Sequence, residues 1–183
     1  VEKGGDPDKS ATCPICRGIH RRGERVTSLP QTLTQGLYGK VEKLGIFRVI
    51  PWEQVEGTIS GAGKQALESH SVPSAILLGK ELIADFVMIT MVFRFDERRG
   101  SSIGVESPAS VAFDLHLFRV KDGKRVWDGR FDETQRPLSE NLLQVGSFFR
   151  RKAKWLTAEE LAEVGMEEQL QKMPGVRELL EKP

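Results

Sequence analysis

The chain has only two cysteines in 183 residues, and that scarcity excludes a disulfide-rich secreted scaffold. It has no apolar run near the roughly 20 residues that a membrane-spanning helix needs. It also lacks an excess of either charge. The 27 Lys plus Arg residues face 26 Asp plus Glu, a net +1, which argues against a strongly basic nucleic-acid binder and against an acidic disordered tail. The sequence starts at Val1, without an initiator Met or a signal-peptide pattern, as though cut from something longer, so the compartment is not read directly from it. What is there is an ordinary globular mix, 39% hydrophobic and 29% charged. A chain of this length has surface enough to bury a core without disulfide or metal.

Residues 1–28 are polar and turn-rich and read as an irregular arm around Cys13-Pro14-Ile15-Cys16. After Ser28, Leu29, Leu33, Leu37, Val41 and Leu44 recur at four- and three-residue steps, one apolar helical stripe, with Gly45 at the C-cap position. Ile46–Ile50 reads as a short strand stopped by Pro51, and residues 51–55 as a short helix. Residues 57–63 form a loop, 64–71 a short helix, and Pro73 opens a helix through Ile83. Asp85–Asp96 is apolar on both faces, the pattern of a central strand covered on two sides. Residues 109–120 alternate Val111, Phe113, Leu115 and Leu117 against polar Asp114 and His116. Asp122-Gly123 then turns the chain into a return strand, Arg125–Thr134. In the tail, Thr157 and Glu160 predict a capping box, and a further turn or two of helix follows Pro174-Gly175.

The sequence carries few chemical motifs. Gly57–Gln65 has the look of a phosphate loop, but its glycine spacing is wrong and Gln65 stands where a magnesium-holding Ser or Thr belongs. Cys13-Pro14-Ile15-Cys16 can chelate zinc, close a disulfide or cycle between redox states. With Arg17-Gly18 behind it, the turn resembles one knuckle of a zinc ribbon, and no second cysteine pair exists to complete it. His20 can add a third ligand, leaving a fourth to come from His70, His116, a carboxylate or another subunit. Asp114 and His116 share a strand face and could serve as a base and its orienter, but no nucleophile motif accompanies them. The carboxylates at Asp132-Glu133 read as strand-end charges. Phe148–Trp155 is basic with aromatic flanks, yet the following helix is rich in Glu, which repels phosphates, so nucleic acid is not an expected partner.

The order of elements resembles a family. Gly45-Ile46-Phe47-Arg48-Val49-Ile50-Pro51-Trp52-Glu53-Gln54-Val55 is similar to a strand-then-short-helix element of bacterial envelope lipoproteins related to the curli secretion channel. The penicillin-binding-protein activator lipoproteins and the TolB N-terminal domain share it. Gly79–Val92 matches the family's helix that ends in an Ala-Asp step and runs into a central strand. Residues 109–127 match its hairpin, with a Gly-Lys turn and a Trp on the return strand. The resemblance implies a TolB N-terminal-domain-like α/β fold, a mixed sheet covered by helices on both faces. Its bounds are an arm at 1–28, a core domain at 29–134 and a helical extension at 135–183. It implies a non-enzymatic, periplasmic protein, held to the outer membrane by a lipid anchor upstream of Val1. Such a protein forms a homo-oligomer and acts on other envelope proteins as scaffold, ring component or activator. The expected partner surface includes Arg98, Arg99, Arg150, Arg151 and Trp155. No cofactor is expected under this reading. The alternative is a zinc-binding or thiol-redox module built on Cys13, Cys16 and His20.

Overall fold

A computed structural model describes residues 10–23, 31–58, 72–101, 104–135 and 155–182. Among these the architecture is α/β, with antiparallel sheets and five helices. The strands are β1 (Ser10–Thr12), β2 (Ile19–Arg21), β3 (Phe86–Asp96), β4 (Arg99–Gly100), β5 (Val105–Ser107), β6 (Ser110–Arg119) and β7 (Arg125–Thr134). The helices are α1 (Gln31–Lys43), α2 (Trp52–Thr58), α3 (Val72–Glu81), α4 (Ala158–Leu170) and α5 (Val176–Glu181). No helix among the described residues is long and apolar enough to cross a membrane.

The main sheet has the order β3-β6-β7. The β6–β7 hairpin turns at Gly123, whose φ of +70° is open to glycine without a Cβ clash. Arg119 N–H donates to the Lys124 carbonyl at 2.8 Å and closes the turn. That turn sets the register, and the register decides which side chains share a face. Leu117 lies opposite Trp127, His116 opposite Asp128, Asp114 opposite Arg130, and Phe113 opposite Phe131. Strand period two then sends Val111, Phe113, Leu115 and Leu117 to one face and Asp114 and His116 to the other.

The first face carries the core. Phe113, Leu115, Phe131 and Trp127 pack with Leu33 of α1, Leu161, Ala162 and Met166 of α4, and Leu179 of α5. Full burial of each large apolar side chain contributes about 1.5–3 kcal/mol. Helix α4 lies close on β7 because Gly165 has no side chain. A Cβ there would stand 2.6 Å from the Phe131 ring. Its N-terminus carries the capping box expected from the sequence: Glu160 N–H donates to Thr157 Oγ1 at 3.1 Å, and Thr157 N–H donates to Glu160 Oε2 at 2.9 Å. A cap of this kind is worth about 1 kcal/mol.

The second face is covered by the β1–β2 hairpin, and here the structure departs from the expectation of an irregular arm over 1–28. Its described part, residues 10–23, is an antiparallel hairpin docked by polar contacts, which a reading based on apolar periodicity cannot detect. The sheet also differs from the expected mixed one, since every described pairing is antiparallel. One face of its central strand is helix-covered and the other lies under the hairpin. The central strand of the described sheet is β6, buried along its whole length, while half-buried β3 flanks it. The polar Asp114 and His116 disguised β6 as half-exposed, because their partners lie on the facing strand and on a segment about 100 residues away. Ile46–Ile50 is not a strand. Phe47 instead sets its ring edge-to-face against Phe86, with centroids 5.8 Å apart. The expected helix at 64–71 lies outside the described residues.

Candidate metal centre

The hairpin between β1 and β2 is a tight turn built by Cys13-Pro14-Ile15-Cys16-Arg17-Gly18. Cys13 N–H donates to the Gly18 carbonyl at 2.7 Å, and Arg17 N–H donates to the Cys13 carbonyl at 3.0 Å. Arg17 adopts φ +63°, an uncommon conformation for a non-glycine residue, and so reverses the chain after Cys16. Gly18 N–H then points at Cys16 Sγ, 3.4 Å away. The turn therefore aims both sulfurs at the sheet and supplies an amide donor to one of them.

Beneath it, β6 presents Asp114 and His116. Cys13 Sγ lies 3.2 Å from His116 Nε2, and Cys16 donates to Asp114 Oδ2 at 3.2 Å. The two sulfurs, the imidazole nitrogen and the carboxylate oxygen all lie within 4.8 Å of one another. In a tetrahedral zinc centre, with Zn–S about 2.3 Å and Zn–N about 2.0 Å, donor atoms stand roughly 3.3–3.8 Å apart. The four donors thus need only a small contraction. Cys13, Asp114 and His116 are buried and Cys16 is half-buried.

Each donor is backed by a second residue. His116 Nδ1 faces Asp128 Oδ1 at 2.5 Å, the carboxylate-on-imidazole arrangement that fixes a ring with its other nitrogen free for a metal. Asp114 Oδ2 also receives His20 Nε2 at 2.9 Å, and Oδ1 receives Arg130 Nε at 3.2 Å. His20 Nδ1 meets Asp132 Oδ2 at 3.2 Å, and Asp132 Oδ1 in turn holds Arg94 Nη2 at 2.5 Å. The His20 ring stacks on Phe93 with centroids 4.2 Å apart. Phe93 is the extra residue of a β-bulge, since Val92 pairs with Phe113 and Arg94 with Ala112. The bulge turns Arg94 onto the hairpin side, where it also donates to the Arg21 carbonyl at 3.0 Å. Arg130 lies across the turn, and a Cβ on Gly18 would stand 1.6 Å from its Nη2, so a larger residue there would push the guanidinium aside.

The electrostatics follow the same geometry. Burial pushes the Cys13 thiol up to about 11, only partly offset by backbone hydrogen bonds from Cys16 and Ile15. At neutral pH a metal must therefore displace a proton from it. Burial also works against the Asp114 carboxylate, but hydrogen bonds from His20 and Cys16 and the Arg130 charge outweigh it and hold the group below the usual carboxylate range.

Of the candidates read from the sequence, the structure brings Cys13, Cys16 and His20 into one cluster. His20 stands behind Asp114 and is not among the four close donors. The two further donors near the thiols are His116 and the Asp114 carboxylate, two of the sources considered, while His70 lies outside the described residues. Arg98 is half-buried beyond β3 and Arg99 is exposed on β4. Trp155 is half-buried ahead of α4, and Arg150 and Arg151 lie outside the described residues. Sequence reasoning missed Asp128, Arg130, Asp132 and Arg94. The signal was the Asp-x-Arg-x-Asp alternation of β7, which faces Asp114 and His116 once the Asp-Gly turn fixes the register.

Comparison with family models, with curated proteins and with solved structures gave no match to this chain.

Proposed function

We propose that this protein is a zinc-binding module in which Cys13, Cys16, His116 and Asp114 hold the ion and clamp the β1–β2 hairpin onto the sheet. The observation that carries the reading is the convergence of four donors, from segments about 100 residues apart, within 4.8 Å of one another. Two thiolates with an imidazole favour zinc over hard cations such as magnesium or calcium. Three anionic ligands leave the zinc centre one negative charge, and the Arg130 guanidinium beside Cys16 and Asp114 offsets it. Burial of three of the four donors suits a closed structural centre rather than one open to substrate. Elemental analysis of the full chain, purified under reducing conditions and supplied with zinc, tests this. About one zinc per chain is expected, falling below a tenth in Cys13→Ser and His116→Gln and unchanged in Arg99→Ala. A wild-type chain that folds and retains no zinc overturns the reading.

A second reading, an envelope scaffold or activator with a TolB N-terminal-domain-like fold, draws support from the order of elements. Helix α3 passes through Ala84-Asp85 into β3, and β6 and β7 form a hairpin with Gly123 in the turn and Trp127 on the return strand. Under it the clamped hairpin is a rigid part of a docking surface for other envelope proteins or further copies of this chain. The native mass of the full-length protein, extracted gently from membranes, is the check. A large discrete multiple of the monomer is expected for a ring or scaffold. Recovery only as a soluble cytosolic monomer overturns this reading and leaves the zinc reading intact.

A further inference from the structure

Resting on the zinc reading, we infer that the centre is also a two-electron thiol switch: a hydroperoxide oxidises Cys16, Cys13 resolves it to a disulfide, and the metal is expelled. The two sulfurs differ in access. Cys13 is 0% exposed, whereas Cys16 is half-buried beside Arg130, whose side chain is 51% exposed. A small oxidant therefore reaches Cys16 from the solvent side and finds Cys13 behind it. The sulfurs already lie within 4.8 Å of each other, in a four-residue turn that can bring them to the roughly 2.05 Å of a disulfide.

Zinc keeps both sulfurs as thiolates, and thiolate is the form that attacks peroxide. A centre with three anionic ligands retains more electron density on its sulfurs than a neutral two-cysteine, two-histidine centre. The Cys16 thiolate attacks one peroxide oxygen, an S–O bond forms, the O–O bond breaks and hydroxide leaves. The Cys13 thiolate then attacks the Cys16 sulfur, the S–S bond forms, the S–O bond breaks and a second hydroxide leaves. Two protons from water-borne acid convert both hydroxides to water. The two cysteines lose two electrons and hydrogen peroxide gains them. With half of its ligands gone the zinc departs, and the hairpin loses the ties through Cys13 and Cys16. Among the described residues, the Arg94, Arg125 and His20 contacts and the Gly23 N–H bond to the Phe93 carbonyl remain to hold it.

The test uses the zinc-loaded full chain and hydrogen peroxide, with a chromophoric chelator to read released zinc and intact mass to read the thiols. Expected are one zinc released per peroxide consumed, a polypeptide mass lower by about 2 Da, and recovery of zinc binding after dithiothreitol and added zinc. Amide hydrogen exchange over residues 10–21 should accelerate at least tenfold in the oxidised form. A zinc-loaded chain that keeps its metal in excess peroxide overturns this inference alone. So does a mass gain of about 32 Da at Cys16 without a disulfide, because that product does not return with dithiothreitol. A chain that never holds zinc overturns the metal reading and this inference together.

Discussion

Asp114→Ala is expected to cost the fold about 3–5 kcal/mol and to lower zinc affinity by more than 100-fold. Asp114 is almost fully buried, and its two oxygens meet Cys16, His20 and Arg130. Removing the carboxylate strands a fully buried imidazole against Asp132 alone, and breaking a buried charged pair from one side typically costs this much. His20→Gln separates ligand from support. His20 only orients Asp114, so its loss should fall within the roughly 10- to 100-fold typical of residues behind a ligand. Competitive zinc titration of the two variants against wild type measures the difference. A larger loss in His20→Gln than in Asp114→Ala would mean that His20, and not Asp114, is the fourth ligand. Asp114→Asn keeps the shape of the side chain and guards against a variant that fails to fold. In the metal-free protein the carboxylate adds a pH dependence of known sign. Its folded value lies below the usual one, so its stabilisation is complete above about pH 4 and is lost as pH falls through the lower folded value. The stability gap between wild type and Asp114→Asn should therefore close in acid, which urea unfolding along a pH series reads directly.

Phe113→Ala is the second large effect, about 3–5 kcal/mol and roughly 10 °C in Tm. Phe113 is one residue before Asp114 and points the opposite way. Its ring stacks on Phe131 with centroids 5.3 Å apart, inside the cluster formed with α4. The cavity left behind cannot collapse easily, because Gly165 already brings α4 as near to Phe131 as van der Waals contact allows. Chemical denaturation should report the loss while zinc binding per folded chain stays unchanged, since the four candidate donors lie across the sheet. Phe113→Leu should recover most of the stability. Loss of zinc from a folded Phe113→Leu protein would overturn the assignment of the two faces.

The contrast between neighbours 113 and 114 explains how far the sequence could be read. Period two along residues 109–120 and the Asp-Gly turn after them placed β6 and β7 within a residue of their observed ends, because both signals are local. Thr157 and Glu160 announced α4 for the same reason, as a cap needs only residues three apart. The apolar stripe from Leu29 marked α1, and Gly45, at φ +67°, follows its end. The Cys-x-x-Cys pair was visible as chemistry, and His116 and a carboxylate were among its conceivable partners. Asp128 and Asp132 were not, since an acid on a strand looks solvent-facing until its cross-strand neighbour is known.

By itself, the sequence determined the class of the chain, its turns, its caps and the two thiols held three positions apart. All of these follow from composition or from residues within a few positions of each other. Only the tertiary structure decided that a polar hairpin covers the second face of the sheet. Only it decided that β6 is the strand buried between two others, and that Asp114 rather than His20 completes the donor set. Those outcomes depend on strand register and on a bulge at Phe93, which re-aims Arg94 and gives His20 its stacking partner. Register is a relation between segments, and one residue of slip would carry Asp114 and His116 of β6 to the wrong side.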